Sequence, residues 1–173
     1  LLIFIEVLLD RDQAGAERGK GHAEKVLKRL VEKNRSTQAK ADAILARITP
    51  STDYALLKDA DMVVEAVFED RAIKAEVTKQ LDAVLPDTCV LASNTSALPI
   101  SLLAQASSRP ERYIGLHFFS PADRMPLVEV IRGQQTSDAT LAQALDFIAQ
   151  LKKTPIVVND HPGFFTSRFI GAF

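Results

Sequence analysis

Apolar runs and helical repeats alternate along the chain. The run at 3–9 is almost continuously apolar, which is typical of a strand covered on both faces. Apolar positions then recur at helical spacing, which predicts a helix over about 12–33. The same patterns predict strands near 47–53, 60–67, 88–93, 113–119, 126–131 and 154–158, and helices near 37–46, 70–84, after Pro99, around 141–148 and after 161–164.

Strands that alternate with helices of this length build βαβ units. The predicted fold class is therefore α/β, a doubly wound and mainly parallel sheet. Ligands of such sheets bind beyond the carboxyl ends of the strands. The residues at these ends are Asp10, 65–69, 93–96 and 117–120.

Composition narrows the class of partner. The 173 residues are 47% hydrophobic, enough for the core of one domain, and 21 basic residues nearly balance 22 acidic ones. This balance argues against nucleic acid or an anionic membrane as the main partner, and the apolar start of the chain is too short to span a bilayer. A single cysteine, Cys89, excludes an internal disulfide and fits a reducing compartment, so we expect a cytoplasmic protein. No metal site is predicted.

Asp10 ends the first predicted strand and precedes a helix. In dinucleotide-binding folds an acid at this point accepts hydrogen bonds from the adenosine ribose and favours NAD over NADP. Alternatively, Asp10 or Asp12 only caps the helix. The glycine fingerprint that should precede such an acid is absent, and "GKGHAE" at 19–24 lies inside a helical pattern. Either the fold binds no dinucleotide or the chain lacks its first βα unit.

Two further strand ends carry polar groups. Glu65 and Glu69 could bind a ribose, although capping the next helix is the better interpretation of two acids there. The turn "ASNTSALP" at 92–99 could contact a ligand or hydrogen-bond its own backbone.

His117 and Glu129 interrupt two apolar strands joined by the loop 120–126. If these strands pair antiparallel around the loop, His117 faces Glu129. The carboxylate would then fix the tautomer and orientation of the imidazole, as a general base requires. A buried pair with a purely structural role is at least as good an interpretation of this feature alone.

Taken together, five stretches resemble the 3-hydroxyacyl-CoA dehydrogenase family. They are "EVLLDRD", "VVEAVFED", "LASNTSALPIS", "GLHFFSPADRMPLVEVIRG" and "KTPIVVNDHPGFFTSRF". The resemblance covers nearly the whole chain, and "HFFSP" and "GFFTSR" are most similar to the dehydrogenase part of multifunctional fatty-acid β-oxidation proteins.

The resemblance implies a Rossmann-type fold and a role for each site residue. His117 would be the catalytic base, Glu129 its partner, and Ser96 would contact the 3-oxygen of the substrate. The NAD site would be lined by Asp10, Ala66, Val67, Glu69, Lys74, Asn94, Ser96 and Ser120. Many single-function members carry asparagine at the positions of Ser120 and Ser167, so these serines are secondary candidates, the latter for substrate.

The resemblance also implies an organisation. Residues 1–160 would be an NAD-binding domain lacking its first βα unit, and 161–173 would begin a helical domain. The chain would be part of a larger multifunctional protein, which could form an oligomer and would oxidise L-3-hydroxyacyl-CoA to 3-ketoacyl-CoA, while the isolated chain would be inactive. Two alternatives remain: another NAD-linked hydroxyacid dehydrogenase, and a catalytically silent module that binds a nucleotide or acyl-CoA.

Overall fold

The structure is a computed structural model that describes residues 4–170, so residue 3 of the predicted first strand lies outside it. The chain divides into two compact units, the first ending at Leu57 and the second beginning at Lys58. Each unit has a parallel pairing of strands with helices between them, which confirms the predicted α/β class.

The first unit is a small parallel pair with two helices in its crossover. Its elements are β1 Glu6–Leu9, α1 Gln13–Glu32, α2 Gln38–Leu45, β2 Ile48–Ser51 and a 3-10 turn at Tyr54–Leu57. α1 begins after Asp12, whose carboxylate accepts a hydrogen bond from Gly15 N–H at 2.7 Å. Asp12 is therefore the cap of this helix.

Within residues 4–170, the predicted cover on both faces of β1 is not present. Glu6 is exposed and the next three residues are only half-buried. β1 belongs to a two-stranded sheet, so an apolar sequence alone does not give it a covering on each side. The "GKG" at 19–21 is helical, as predicted, and a Cβ on Gly19 would lie 2.5 Å from Leu8 Cδ2. That glycine allows α1 to lie closely against β1.

The second unit contains a five-stranded sheet in the order β3-β4-β5-β6-β7. Every neighbouring pair is parallel except β5 and β6. Its elements are β3 Met62–Glu65, α3 Arg71–Asp82, β4 Val90–Ser93, α4 Ile100–Leu103, two 3-10 turns at Ala104–Ala106 and Pro110–Arg112, β5 Tyr113–Phe118, β6 Leu127–Arg132, α5 Asp138–Gln150, β7 Thr154–Asn159 and α6 Thr166–Ile170.

The core of this unit fixes the register of β5 and β6. It consists of inward-facing residues from three strands and α5, namely Val90, Ala92, Ile114, Leu116, Val128, Val130, Ala144 and Ile148. A slip of one residue would turn the apolar set of a strand to the opposite face. Burying each larger side chain contributes about 1.5–3 kcal/mol, so the core sets the position of the residues between these apolar positions.

Candidate active site

His117 and Glu129 face each other across the antiparallel pair β5–β6. His117 Nδ1 lies 2.7 Å from Glu129 Oε2, which is the register and the contact that the sequence predicts. The Glu129 side chain has no exposed surface, and the His117 side chain is 12% exposed. The pair therefore stands at the edge of the core, with only the imidazole reaching its surface.

The surroundings of Glu129 fix its charge. Its second oxygen, Oε1, accepts hydrogen bonds from Phe165 N–H at 3.1 Å and Thr166 N–H at 2.9 Å. Burial alone would raise the pKa of this carboxyl, but the hydrogen bonds from His117 and Thr166 outweigh it and hold the pKa below its usual value. Because an ionised carboxylate only accepts hydrogen bonds, Nδ1 carries a proton, and in the neutral imidazole Nε2 is then the atom that can accept one.

Two aromatic rings hold the imidazole. Its centroid lies 4.6 Å from that of Phe119 and 6.2 Å from that of Phe164. Phe164 is buried and follows Gly163, and both have positive φ, 48° and 75°, in the turn that leads to α6. Glycine suits this left-handed conformation, whereas Phe164 adopts it at a cost that its burial offsets.

Asp160 anchors the same turn. Its carboxylate accepts hydrogen bonds from Ile100 N–H at 2.6 Å and Ser101 N–H at 2.7 Å, at the start of α4. Sequence reasoning missed this residue, although an acid directly after the last strand was a usable signal.

The turn after β4 lies beside the pair. Asn94 Oδ1 accepts a hydrogen bond from Phe118 N–H at 2.9 Å, which joins the turn to the end of β5. Glu69 Oε1 accepts hydrogen bonds from Thr95 Oγ1, Ser96 N–H, Ser96 Oγ and Ala97 N–H. Burial works to raise the pKa of Glu69, but the hydrogen bonds from Thr95 and Ser96 and the charge of Lys74 lower it. The exposed Ser96 is thus positioned by a carboxylate.

A buried ion pair lies beneath this turn. Lys74 Nζ is 2.9 Å from Glu65 Oε1 and 3.4 Å from Glu69 Oε2, and it donates to Val67 O at 3.2 Å. Ser93 Oγ donates to Glu65 Oε2 at 2.7 Å. The side chains of Lys74 and Glu65 are each 1% exposed. Lys74 therefore contacts the candidate site from behind, through two carboxylates.

The prediction that Glu65 or Glu69 caps the next helix is wrong. The cap of α3 is Asp70, whose carboxylate accepts from Ala72 N–H and Ile73 N–H at 2.8 and 2.9 Å. Asp70 is nearer the helix and has the short side chain that capping needs. Glu65 and Glu69 are thereby left for the ion pair and the turn.

The remaining candidates of the second unit are exposed. Ala66 and Val67 follow β3, Ser120 follows β5, and Ser167 lies in α6. The structure thus places Ala66, Val67, Glu69, Asn94 and Ser96 at the carboxyl edge of β3 and β4, next to the strand that carries His117.

Asp10 belongs to the first unit, where it follows β1. Its carboxylate is exposed and accepts a hydrogen bond from Arg11 N–H at 2.7 Å. A Cβ on Gly15 would lie 2.5 Å from Asp10 Cγ, so this carboxylate occupies the space that the glycine leaves over the first turn of α1. Since Asp12 is the cap, the alternative that Asp10 serves as one no longer stands.

Three further features concern metal binding, membrane crossing and the single cysteine. Residues 4–170 contain no group of three His, Cys, Asp or Glu side chains that could hold a metal ion. No helix within the same range has the length and apolarity needed to cross a membrane. Cys89 is buried, and burial raises the pKa of its thiol to about 11, which makes it a poor nucleophile.

Comparison with known proteins places this fold in one class, that of NAD-binding dehydrogenase domains. A family model described as 3-hydroxyacyl-CoA dehydrogenase, NAD binding domain, matches residues 5–161. The (S)-3-hydroxybutyryl-CoA dehydrogenase PaaH1 from Ralstonia eutropha is 41% identical, with a TM-score of 0.92 over 95% of this chain and 58% of that one. FadB2 of M. tuberculosis is 36% identical, with a TM-score of 0.90 over 95% and 58%. The dehydrogenase part of multifunctional enzyme 1 from C. elegans is 30% identical, with a TM-score of 0.76 over 88% and 35%.

The chain belongs to the 3-hydroxyacyl-CoA dehydrogenase family, as the sequence predicts. Its Rossmann-type, mainly parallel fold is confirmed by the same matches. The chain spans 58% of the length of the first two of these relatives.

The residues present fit NAD, the cofactor of the matched domain. In the first unit, taken by itself, Asp10 has an exposed carboxylate, the kind of acceptor that ribose hydroxyls need. The exposed Ala66 and Val67 offer apolar surface, and Asn94 and Ser96 offer an amide and a hydroxyl next to His117. Lys74 is buried and forms ion pairs with Glu65 and Glu69, so it would affect NAD binding indirectly, through Glu69.

Proposed function

We propose that the protein carrying this chain oxidises an L-3-hydroxyacyl-CoA to the 3-ketoacyl-CoA, with His117 as general base and Glu129 as its partner. The observation that carries the proposal is the 2.7 Å contact between His117 Nδ1 and Glu129 Oε2. This contact leaves His117 Nε2 as the proton acceptor, at the same edge of the sheet as Ser96. Membership of the 3-hydroxyacyl-CoA dehydrogenase family supports the same reaction.

Each residue of the site has a role in this reaction. His117 Nε2 takes the proton of the 3-hydroxyl while the electrons of the C3–H bond leave as hydride. NAD, when bound, accepts that hydride. Glu129, ionised and buried, stabilises the imidazolium that forms. The Ser96 hydroxyl, whose single proton is directed to Glu69 Oε1 when no substrate is bound, would turn that proton to the 3-oxygen. Phe119 and Phe164 limit the access of water to the imidazole.

The proposal extends to the setting of the reaction. The protein would act in fatty-acid β-oxidation in the cytoplasm, on an acyl-CoA, as part of a longer multifunctional chain. A helical domain would complete the substrate site, with Ser167 near the substrate and Ser120 near NAD. Two observations support the longer multifunctional chain: the chain covers 58% of the Ralstonia eutropha relative, and another relative is described as the dehydrogenase part of a multifunctional enzyme.

The test is the oxidation of NADH during reduction of acetoacetyl-CoA, followed by absorbance. The full-length protein should turn over. The 173-residue chain should not, because a dinucleotide site needs backbone N–H groups of a glycine loop at the pyrophosphate. Full-length protein that binds NAD in calorimetry yet shows no turnover would instead support the silent binding module. Robust turnover by the 173-residue chain would contradict the proposed need for further segments.

A further inference from the structure

Three charged side chains meet at the carboxyl edge of β3. Glu65 and Lys74 are each 1% exposed in their side chains, whereas the Glu69 side chain is 37% exposed. Lys74 Nζ is closer to Glu65 Oε1, at 2.9 Å, than to Glu69 Oε2, at 3.4 Å. Two carboxylates thus share one ammonium group, and only one of the three groups reaches the surface.

The charge of this cluster does not cancel. Lys74 and Glu65 neutralise each other, and the donors that surround Glu69 Oε1 are neutral hydroxyl and amide groups of Thr95, Ser96 and Ala97. Within residues 4–170 no other basic side chain forms an ion pair with Glu65 or Glu69. The cluster therefore carries a net charge of −1, and that charge lies on Glu69.

This charge stands close to the place where the proposed reaction occurs. β3, β4 and β5 are consecutive neighbours in the sheet, and adjacent strands are about 4.8 Å apart. The turn that Glu69 holds is joined to β5 by the hydrogen bond from Phe118 N–H to Asn94 Oδ1. If His117 deprotonates the 3-hydroxyl, the ring that receives the hydride from the same carbon must lie at this edge.

The two redox forms of that ring differ in charge, since nicotinamide is cationic in NAD+ and neutral in NADH. We propose that Glu65 is a positioning residue whose carboxylate neutralises Lys74, so that Glu69 keeps a negative charge which favours NAD+ over NADH. This inference rests on the proposed function. Without Glu65, the charge of Lys74 would cancel that of Glu69, and the preference for the cationic ring would fall.

The first variant, Glu65→Gln, removes the charge and keeps the shape. Its amide oxygen can accept from Lys74 and Val67 N–H, and its amide nitrogen can donate to Ser93 Oγ. The second variant, E65Q/K74M, removes both charges of the pair and returns the net charge to that of Glu69 alone. Ser93→Ala is the matched control, because it removes a hydrogen bond from the same carboxylate without changing charge.

The measurement is the dissociation constant of NAD+ and of NADH, each by calorimetry on the full-length protein. In E65Q the ratio of the two affinities should shift toward NADH on the order of three- to tenfold, the size expected of one partly screened unit charge. E65Q/K74M and S93A should both keep the ratio within about twofold of the wild type. Restoration by the double variant is a result that a merely structural role of Glu65 would not give.

Two results would overturn the inference. One is an E65Q variant that binds both forms more weakly but in the wild-type ratio, and the other is a double variant that keeps the ratio of E65Q. If E65Q fails to fold, Lys74→Met is the second test: it leaves both carboxylates charged and should shift the ratio toward NAD+, and an unshifted ratio contradicts the charge argument. A wild-type protein that binds neither nucleotide would instead overturn the proposed function, and the inference with it.

Discussion

A hydrogen-bonded His–Glu pair and a buried Lys–Glu ion pair stand at one edge of the five-stranded sheet, and they use their polar atoms differently. In the His117–Glu129 pair, one imidazole nitrogen contacts the carboxylate and Nε2 makes no hydrogen bond within residues 4–170. In the Lys74–Glu65 pair, Nζ contacts Glu65, Glu69 and the carbonyl of Val67. His117 thus keeps one nitrogen available for proton transfer, whereas Lys74 Nζ is fully used in contacts that stabilise the fold.

The same difference predicts that the Lys74–Glu65 pair affects mainly stability and the His117–Glu129 pair mainly turnover. Lys74 joins α3 to β3, and Glu65 joins β3 to β4 through Ser93. Removing one partner of such a pair leaves a buried charge without compensation, which reduces stability. Removing Glu129 also leaves the two backbone N–H groups at the start of α6 without their acceptor, but its largest expected effect is on the protonation of His117.

The largest effect is expected from His117→Asn. Turnover in the full-length protein should fall by ~10³–10⁴-fold, near the upper end of what general-base catalysis supplies. The affinity for NAD should change by less than about threefold. His22→Asn, at an exposed position of α1, is the control and should leave turnover unchanged. A loss of less than about tenfold in H117N would mean that another group is the base.

The second effect concerns the lysine pair. Lys74→Met should lower the free energy of unfolding by about 3–5 kcal/mol, measured by urea denaturation. The exposed Lys79 lies on the same helix, and Lys79→Met should change stability by no more than about 0.5 kcal/mol. E65Q/K74M should recover most of the loss, because the variant buries no unpaired charge. Equal stability of K74M and K79M would show that the pair contributes nothing to the fold.

The features that the sequence predicted correctly depend on short-range pattern. The class of the fold follows from alternating periods, and the pairing of His117 with Glu129 follows from a single loop and the two-residue period of strands. A loop of this kind leaves few registers, and the apolar core selects among them. The sequence alone therefore predicts that His117 faces Glu129.

The sequence did not predict the Lys74–Glu65 ion pair or the exposure of β1, because both depend on contacts between elements. Glu65 and Lys74 are nine residues apart across a strand-to-helix turn, and no periodicity indicates that a lysine is buried there. β1 has the apolar sequence of a central strand, and within residues 4–170 it pairs only with β2 and is partly exposed. The burial of Lys74 and the exposure of β1 both depend on residues that are distant in sequence, and a single sequence does not show which of these are neighbours.

The third effect concerns the partner of His117. In Glu129→Gln, the amide oxygen should stay on Phe165 and Thr166 N–H, which turns the amide nitrogen toward His117 Nδ1. Nδ1 must then accept a hydrogen bond, so the proton moves to Nε2 and the base is blocked. Turnover should fall on the order of 10²–10³-fold, with KM within about threefold. Glu111→Gln, at an exposed position, is the control; unchanged turnover in E129Q would assign the pair to structure alone.

The smallest effect is the pH dependence of stability that Glu129 confers. Its pKa is lowered in the folded protein, so its contribution is fully present above the unfolded value of about 4.3 and is lost as pH falls through the folded-state pKa. The amide of the E129Q variant has no such titration. The difference in free energy of unfolding between wild type and E129Q should therefore shrink below about pH 4.3, by about 1.4 kcal/mol for each unit of pKa depression. Urea denaturation of both proteins at a series of pH values between about 3 and 7 measures it. A difference that stays constant over that range would mean that the folded protein does not favour the ionised carboxylate, and the tautomer inferred for His117 would lose its basis.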